Sequence, residues 1–197
     1  LAHLDDFETL SKQAGAGYDR LAQRYALFTG SHDPVKKLAT WRMFSQFGIT
    51  GIFVCFTGEA CVNPDTYEVW LPFTMCHELA HQAGYAREDE ANYIAYRACM
   101  SGSAAFRFSG GFNMLLYAMN ALYEIDRPAW RQCVNGMSDP LFFRFARCNG
   151  LYTARQTLPY RLSQMFSALF LRMNGQTQGA QSYENAVRLL LAEESAA

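Results

Sequence analysis

Residues 72–92 read PFTMCHELAHQAGYAREDEAN, and the organisation of the chain is best read outward from this stretch. It holds the pattern HExxH as His77-Glu78-Leu79-Ala80-His81. On a helix, positions i and i+4 lie on one face, so both imidazoles can approach one metal ion from the same side. Glu78, one residue on, sits at the edge of that face, where a carboxylate can act on a water as general base without ligating the metal. Zinc suits these donors, because it takes nitrogen and carboxylate ligands and is a good Lewis acid. From the chain's own His and Glu frequencies, an HExxH arises by chance with a probability of about half a percent, so the flanking residues decide its meaning. Pro72 suits a first helical turn, Phe73, Cys76 and Ala80 supply an apolar face, and Gly84 ends the helix soon after His81. The plainer alternative is a structural helix that happens to carry two histidines.

A catalytic zinc needs a third protein ligand and an open position. His3 and His32 stand in polar N-terminal contexts, where a histidine is usually just solvated. A turn at Gly84 folds a second helix back against the first and offers three acids. Glu88 shares a helical face with Ala91, Asn92 and Ala95, whose small size lets two helices approach closely. Glu90 lies with Arg87 and Arg97 and is the alternative ligand, although pairing with an arginine is its ordinary fate. Asp89 points away from both and is expected in solvent. Asn92, one turn after Glu88, is placed to hydrogen-bond a ligand.

The 197 residues make one domain, half of it apolar, with 17 Lys+Arg against 18 Asp+Glu. No basic excess points to nucleic acid. The longest nearly pure apolar run, Phe47 to Phe56, is too short to cross a bilayer. Residues 3–28 read as a helix with a soft spot at Gly15–Gly17, and Lys36 to Phe47 is ambiguous between strand and helix. Gly48 to Phe56, rich in β-branched and aromatic residues, reads as a strand, with Glu59 to Asn63 pairing back against it. Helices are expected near 72–83, 86–101, 109–125, 128–134, 139–148, 155–173 and 180–194, punctuated by Gly84, Gly102, Gly110-Gly111, Gly136, Gly150 and Gly175. Six cysteines contain no CxxC pair. Their even number permits up to three disulfides, with Cys55/Cys61 and Cys133/Cys148 near enough in sequence to meet, while Cys76 and Cys99 read as buried free thiols.

Two resemblances attach to these residues. Glu88 to Asn92, followed by Ala95, is similar to the Glu-x-x-Ala-Asp/Asn element of glutamate-type zincins, including membrane-embedded heat-shock and prenyl-protein proteases. That similarity implies zinc binding by His77, His81 and Glu88, with Asn92 in a supporting place. Over nearly the whole chain, residues 48–51, 56–60, 72–92, 106–110, 174–175 and 182–183 resemble an uncharacterised bacterial family of membrane-anchored HExxH zinc proteases, catalogued as a domain of unknown function. This resemblance implies an α+β, mainly α fold: a zincin-like metallopeptidase domain with a small β-sheet before the HExxH helix and a C-terminal helical bundle. It implies one catalytic domain over 1–197, made of an N-terminal helix (1–34), a small sheet (35–70), zinc-site helices (71–101) and a helical subdomain (102–197). It also implies a parent protein anchored in the bacterial cell membrane; a disulfide among the cysteines would place this domain on the extracytoplasmic side. Where that family commonly reads PFTGEAN, this chain has Cys55 and Cys61 at the outer positions, a paired replacement that favours a disulfide.

The expected function is hydrolysis of a peptide or protein substrate, with Zn2+ as cofactor and Glu78 as the catalytic base. The alternative is a catalytically silent zinc-binding sensor or scaffold domain of a membrane protein. The strand Ile49 to Phe56 is placed to pair with an extended substrate or simply to close the core. Arg107, Tyr183 and Tyr85 are candidates to stabilise an oxyanion.

Overall fold

The computed structural model describes residues 6–25, 32–154, 158–159, 161, 165 and 181–196. In chain order these form α1 (Phe7–Arg24), β1 (Lys36–Lys37), α2 (Trp41–Gln46), β2 (Gly51–Val54), β3 (Glu59–Val62), α3 (Leu71–Gln82), α4 (Glu88–Met100), α5 (Ala104–Ile125), α6 (Arg127–Asn135), α7 (Asp139–Ala154) and α8 (Gln181–Ala196). The architecture is mainly helical with one three-stranded sheet. Most of the expected helix over 155–173 lies outside the described residues. No helix among the described residues is long and apolar enough to cross a membrane.

The sheet order is β1-β3-β2, with β1 parallel and β2 antiparallel to β3. Ambiguity over 36–47 resolves into both elements: two residues add to β3, and α2 follows. The register pairs Gly51 with Val62, Ile52 with Cys61, Phe53 with Ala60 and Val54 with Glu59. The Asn63 amide donates to the Thr50 carbonyl, so 50/63, 52/61 and 54/59 are the hydrogen-bonded pairs. The N–H and C=O of Gly51 and Phe53 therefore point away from β3, toward the open side of β2. The side chain of Asn63, itself buried, donates to Ser45 Oγ and the Ile49 carbonyl, fastening the segment that leads into β2.

Helix α3 occupies the centre, packed against α1, α4, α5, β2 and β3. Leu71, Phe73, Met75, Cys76, Leu79 and Ala80 are all buried, as expected of a helix covered on most of its circumference. Its start has no side-chain cap of its own. Instead Ser109 of α5 reaches in: its hydroxyl accepts from the Phe73 amide at 3.0 Å and donates to the Val69 carbonyl at 2.6 Å. One of the free amides of the first turn is thus satisfied from a neighbouring helix. The other end closes in a Schellman motif, with the Tyr85 amide on the Ala80 carbonyl, the Gly84 amide on the His81 carbonyl, and Gly84 at φ +98°.

Two expectations fail here. Neither Gly110-Gly111 nor Gly150 punctuates: α5 runs through the first from Ala104, and α7 runs through the second. A Cβ at Gly110 would lie 2.6 Å from the Cys99 Cβ, so this glycine serves the close approach of α5 to α4. All six cysteines are free. Cys61 is buried in β3 opposite Ile52, whereas Cys55 lies exposed in the β2–β3 turn, and the two are not bridged. Cys133 is exposed on α6, while Cys148 is buried among Tyr67, Trp70 and Phe145. A second apolar cluster, with Tyr67, Phe112, Leu116 and Met119, joins α5 to α7.

Two measurements check this packing. Ser109→Ala leaves a buried amide and carbonyl without their partner, and chemical denaturation should show a loss of about 1–3 kcal/mol. Thiol titration of the denatured, unreduced chain should find all six cysteines reactive; a Cys55–Cys61 bridge would contradict the arrangement of β2, its turn and β3.

Candidate metal centre

The Schellman turn and the short link after it bring Glu88, the first residue of α4, over the outward face of α3. His77 Nε2 lies 3.0 Å from His81 Nε2, 3.3 Å from Glu88 Oε2, and His81 Nε2 lies 3.5 Å from Glu88 Oε1. Among the described residues this is the group of His, Cys, Asp and Glu donors arranged to hold a metal ion. Four donors at about 2.0–2.1 Å around a tetrahedral zinc stand about 3.3 Å from each other, so the three spacings fit that ion.

Tautomer assignment favours the same conclusion. His81 Nδ1 sits 2.7 Å from the Tyr85 carbonyl, which can only accept, so Nδ1 carries the proton and Nε2 presents a lone pair. That lone pair faces a second imidazole nitrogen and a carboxylate, an arrangement that needs a cation or added protons between them. Burial alone would raise the Glu88 carboxyl, but hydrogen bonding to His77 and His81 outweighs it and holds the group well below the usual carboxylate range. Burial alone would lower His81, and the Glu88 and Glu78 carboxylates reverse that and raise it. The residues present therefore fit a divalent ion of the zinc type.

Glu78 is 5% exposed and beside this group. Burial pushes its carboxyl up to about 7, partly opposed by the two histidines. The two glutamates thus differ in kind: Glu88 is held charged by partners, and Glu78 is poised to exchange a proton near neutrality.

Helix α4 approaches α3 through Ala91 and Ala95, both fully buried. Asn92, also buried, accepts from the Tyr117 hydroxyl of α5 at 3.3 Å. Phe73 packs against both the His77 and the Tyr117 rings, so α5 backs the site through Tyr117. His77 Nδ1 and Asn92 Nδ2 are buried without a hydrogen-bond partner among the described residues. Tyr117 escaped the sequence reading because nothing local marks it; α5 turns it inward.

Other candidates fall elsewhere. Glu90 is half-exposed and lies 3.5 Å from Arg87. Asp89, expected in solvent, is buried: Arg87 grips it at 2.7 Å and holds its carboxyl down, and Asn185 of α8 bonds it at 3.4 Å. Arg107 donates to the Gly102 carbonyl, past the far end of α4 and roughly 18 Å along that helix from Glu88. Tyr85 contributes its backbone carbonyl to His81. Tyr183 is in the first turn of α8, and its side chain lies outside the described residues. Glu59 pairs with Lys36 across the exposed sheet face. His3 also lies outside the described residues.

Metal analysis checks the centre directly. The purified chain should carry about one zinc, and His77→Ala should lose it. Glu88→Gln should weaken zinc affinity far more than Glu90→Gln, since a neutral amide is a poor ligand for a dication; the reverse order would move the site.

No curated protein and no solved structure matches the chain. A family model described as a protein of unknown function matches residues 2–191, nearly the full length. The chain therefore belongs to this family, DUF3810.

Proposed function

We propose that this domain is a zinc-dependent metallopeptidase of zincin-like fold. The observation that carries the reading is the convergence of His77, His81 and Glu88 beside the buried Glu78 carboxyl. His77, His81 and Glu88 hold the ion. Bound there, zinc would supply Lewis acidity toward a water and a carbonyl. Glu78, whose carboxyl titrates near neutrality, takes the proton of the attacking water on a carboxylate oxygen and returns it to the leaving amine. His81 is kept in the ligating tautomer by the Tyr85 carbonyl.

A peptide substrate is favoured over other amides by the open side of β2. The N–H and C=O of Gly51 and Phe53, which have no partner strand among the described residues, can take an extended backbone as an added strand, and Gly51 lies directly against Glu78. We place the parent protein in the bacterial cell membrane on the strength of the family resemblance; the outer-side location expected for this domain loses its support, because Cys55 and Cys61 are free.

Glu78→Gln separates the enzyme from a silent zinc-binding sensor. It should keep zinc and fold while slowing cleavage of a peptide library by about 10²–10⁴-fold. Equal cleavage by both proteins would remove Glu78 as base. Zinc binding without cleavage by either, together with a shared binding partner, would favour the sensor.

A further inference from the structure

We infer that Gly51 is a positioning residue for Glu78: the bare backbone at the head of β2 forms the slot in which the Glu78 side chain lies beside the metal-binding group. The role assigned to the slot rests on the reading of Glu78 as general base; the contact itself does not.

Glycine is an unfavourable choice at this position. In a strand it costs conformational entropy and offers no side chain to pack. The backbone does not require it either, because the positive-φ glycines among the described residues are Gly48, Gly58 and Gly84. What does require it is space. A Cβ on Gly51 would stand 2.8 Å from both Cγ and Cδ of Glu78, and closer still to Oε1. Cβ contacts under about 3 Å are not sustained, so something must move. Because the overlap runs from Cγ to the carboxylate, turning the terminal group alone does not relieve it. The whole side chain would have to change rotamer, in a site that leaves it 5% exposed. Among the described residues the carboxylate has no hydrogen bond to hold it in place, so packing against Gly51 sets its position.

Strand β2 is itself held from two directions. Its backbone pairs with β3, and the side-chain amide of Gln82, the residue after His81, donates to the Gly58 carbonyl in the β2–β3 turn at 2.8 Å. The surface that Glu78 leans on is thus tied to the helix that carries Glu78. The same residue leaves its N–H and C=O on the open side of β2, where the proposed substrate would pair. Gly51 then sets both the base and the backbone of the substrate against one fixed reference.

A substitution cycle tests this. In the metal-free chain, Gly51→Ala should lower Tm by several degrees when residue 78 is Glu and leave it nearly unchanged in Glu78→Ala, where the space is free. Folding of Gly51→Ala only in the Glu78→Ala background is the same result in stronger form. An equal drop in both backgrounds overturns the contact.

The positioning role is read separately. Gly51→Ala should keep zinc affinity within a few-fold, lower kcat on a fluorogenic peptide library at least tenfold, and lower the residual rate of Glu78→Gln no further. A further loss in Glu78→Gln, or full activity in Gly51→Ala, overturns it. A zinc-binding wild type that cleaves nothing would sink the peptidase reading instead. The visible spectrum of the Co2+-loaded chain then decides: Gly51→Ala should shift it as Glu78→Gln does, with no additional shift in the double variant, and an unshifted Gly51→Ala spectrum overturns the inference.

Discussion

Helix α3 has to keep three titratable side chains in a place where water is largely excluded. His77 and His81 stand a turn apart on a helix that is otherwise apolar and packed by five neighbouring elements. A charged group moved into such surroundings is tolerated only when partners offset its lost hydration. Glu88 provides that offset from α4, with both imidazoles within 3.5 Å of its carboxylate. The rest of the architecture can be understood as what allows α4 to come so near: Ala91 and Ala95 on its facing side, Gly110 of α5 behind it, and the tight turn at Gly84 between the helices. A larger side chain at Ala91, Ala95 or Gly110 pushes α4 outward and lengthens the distances among His77, His81 and Glu88, whereas at Gly84 it strains a left-handed backbone.

Within this frame, two glutamates ten residues apart acquire opposite characters. Glu88 has nitrogen partners and stays ionised. Glu78 is buried more completely and has none of those short contacts, so burial dominates and its carboxyl rises toward neutrality. The surroundings thus hold one carboxyl charged and bring the other toward neutrality, which is the division of roles that the proposed function uses. The division is made by tertiary surroundings, since the two side chains are chemically identical.

The sheet contributes more than closure of the core. Its edge strand lies across α3, and the residue nearest Glu78 is the one with no side chain. Asn63, through Ser45 and the Ile49 carbonyl, holds the approach to that strand, and Gln82 holds its exit. A polar site on a single helix is thereby fixed against a second element, which is the preorganisation that the proposed role of Glu78 requires. On the other side Asn92, Tyr117 and Phe73 link the donors to α5. The exposed Phe56 at the turn, 97% accessible, stands apart from both supports.

Much of this was legible in the sequence wherever the signal is local. The HExxH spacing places two imidazoles on one helical face through the 3.6-residue repeat alone, and Gly84 marks the end of that helix because it can take a positive φ. The small residues beside Glu88 distinguish its face from that of Glu90, and the β-branched run before the motif reads as a strand from its own propensities. Tertiary structure decided everything that depends on what lies across a gap. Whether Cys55 meets Cys61 depends on where the strand ends, and the fold leaves Cys55 exposed in the turn while Cys61 is buried in β3. Whether Gly110 ends a helix or admits a neighbour depends on Cys99 of α4, which no local pattern reveals. Asp89 looks like a surface acid until α8 and Arg87 enclose it. Arg107 sits between two aromatic residues in sequence, yet α5 carries it to the far end of α4. Even Gly51, conspicuous in the sequence, has its meaning only when Glu78 is folded against it, because a glycine chosen for space cannot be told from one chosen for flexibility until the neighbouring atoms are in place.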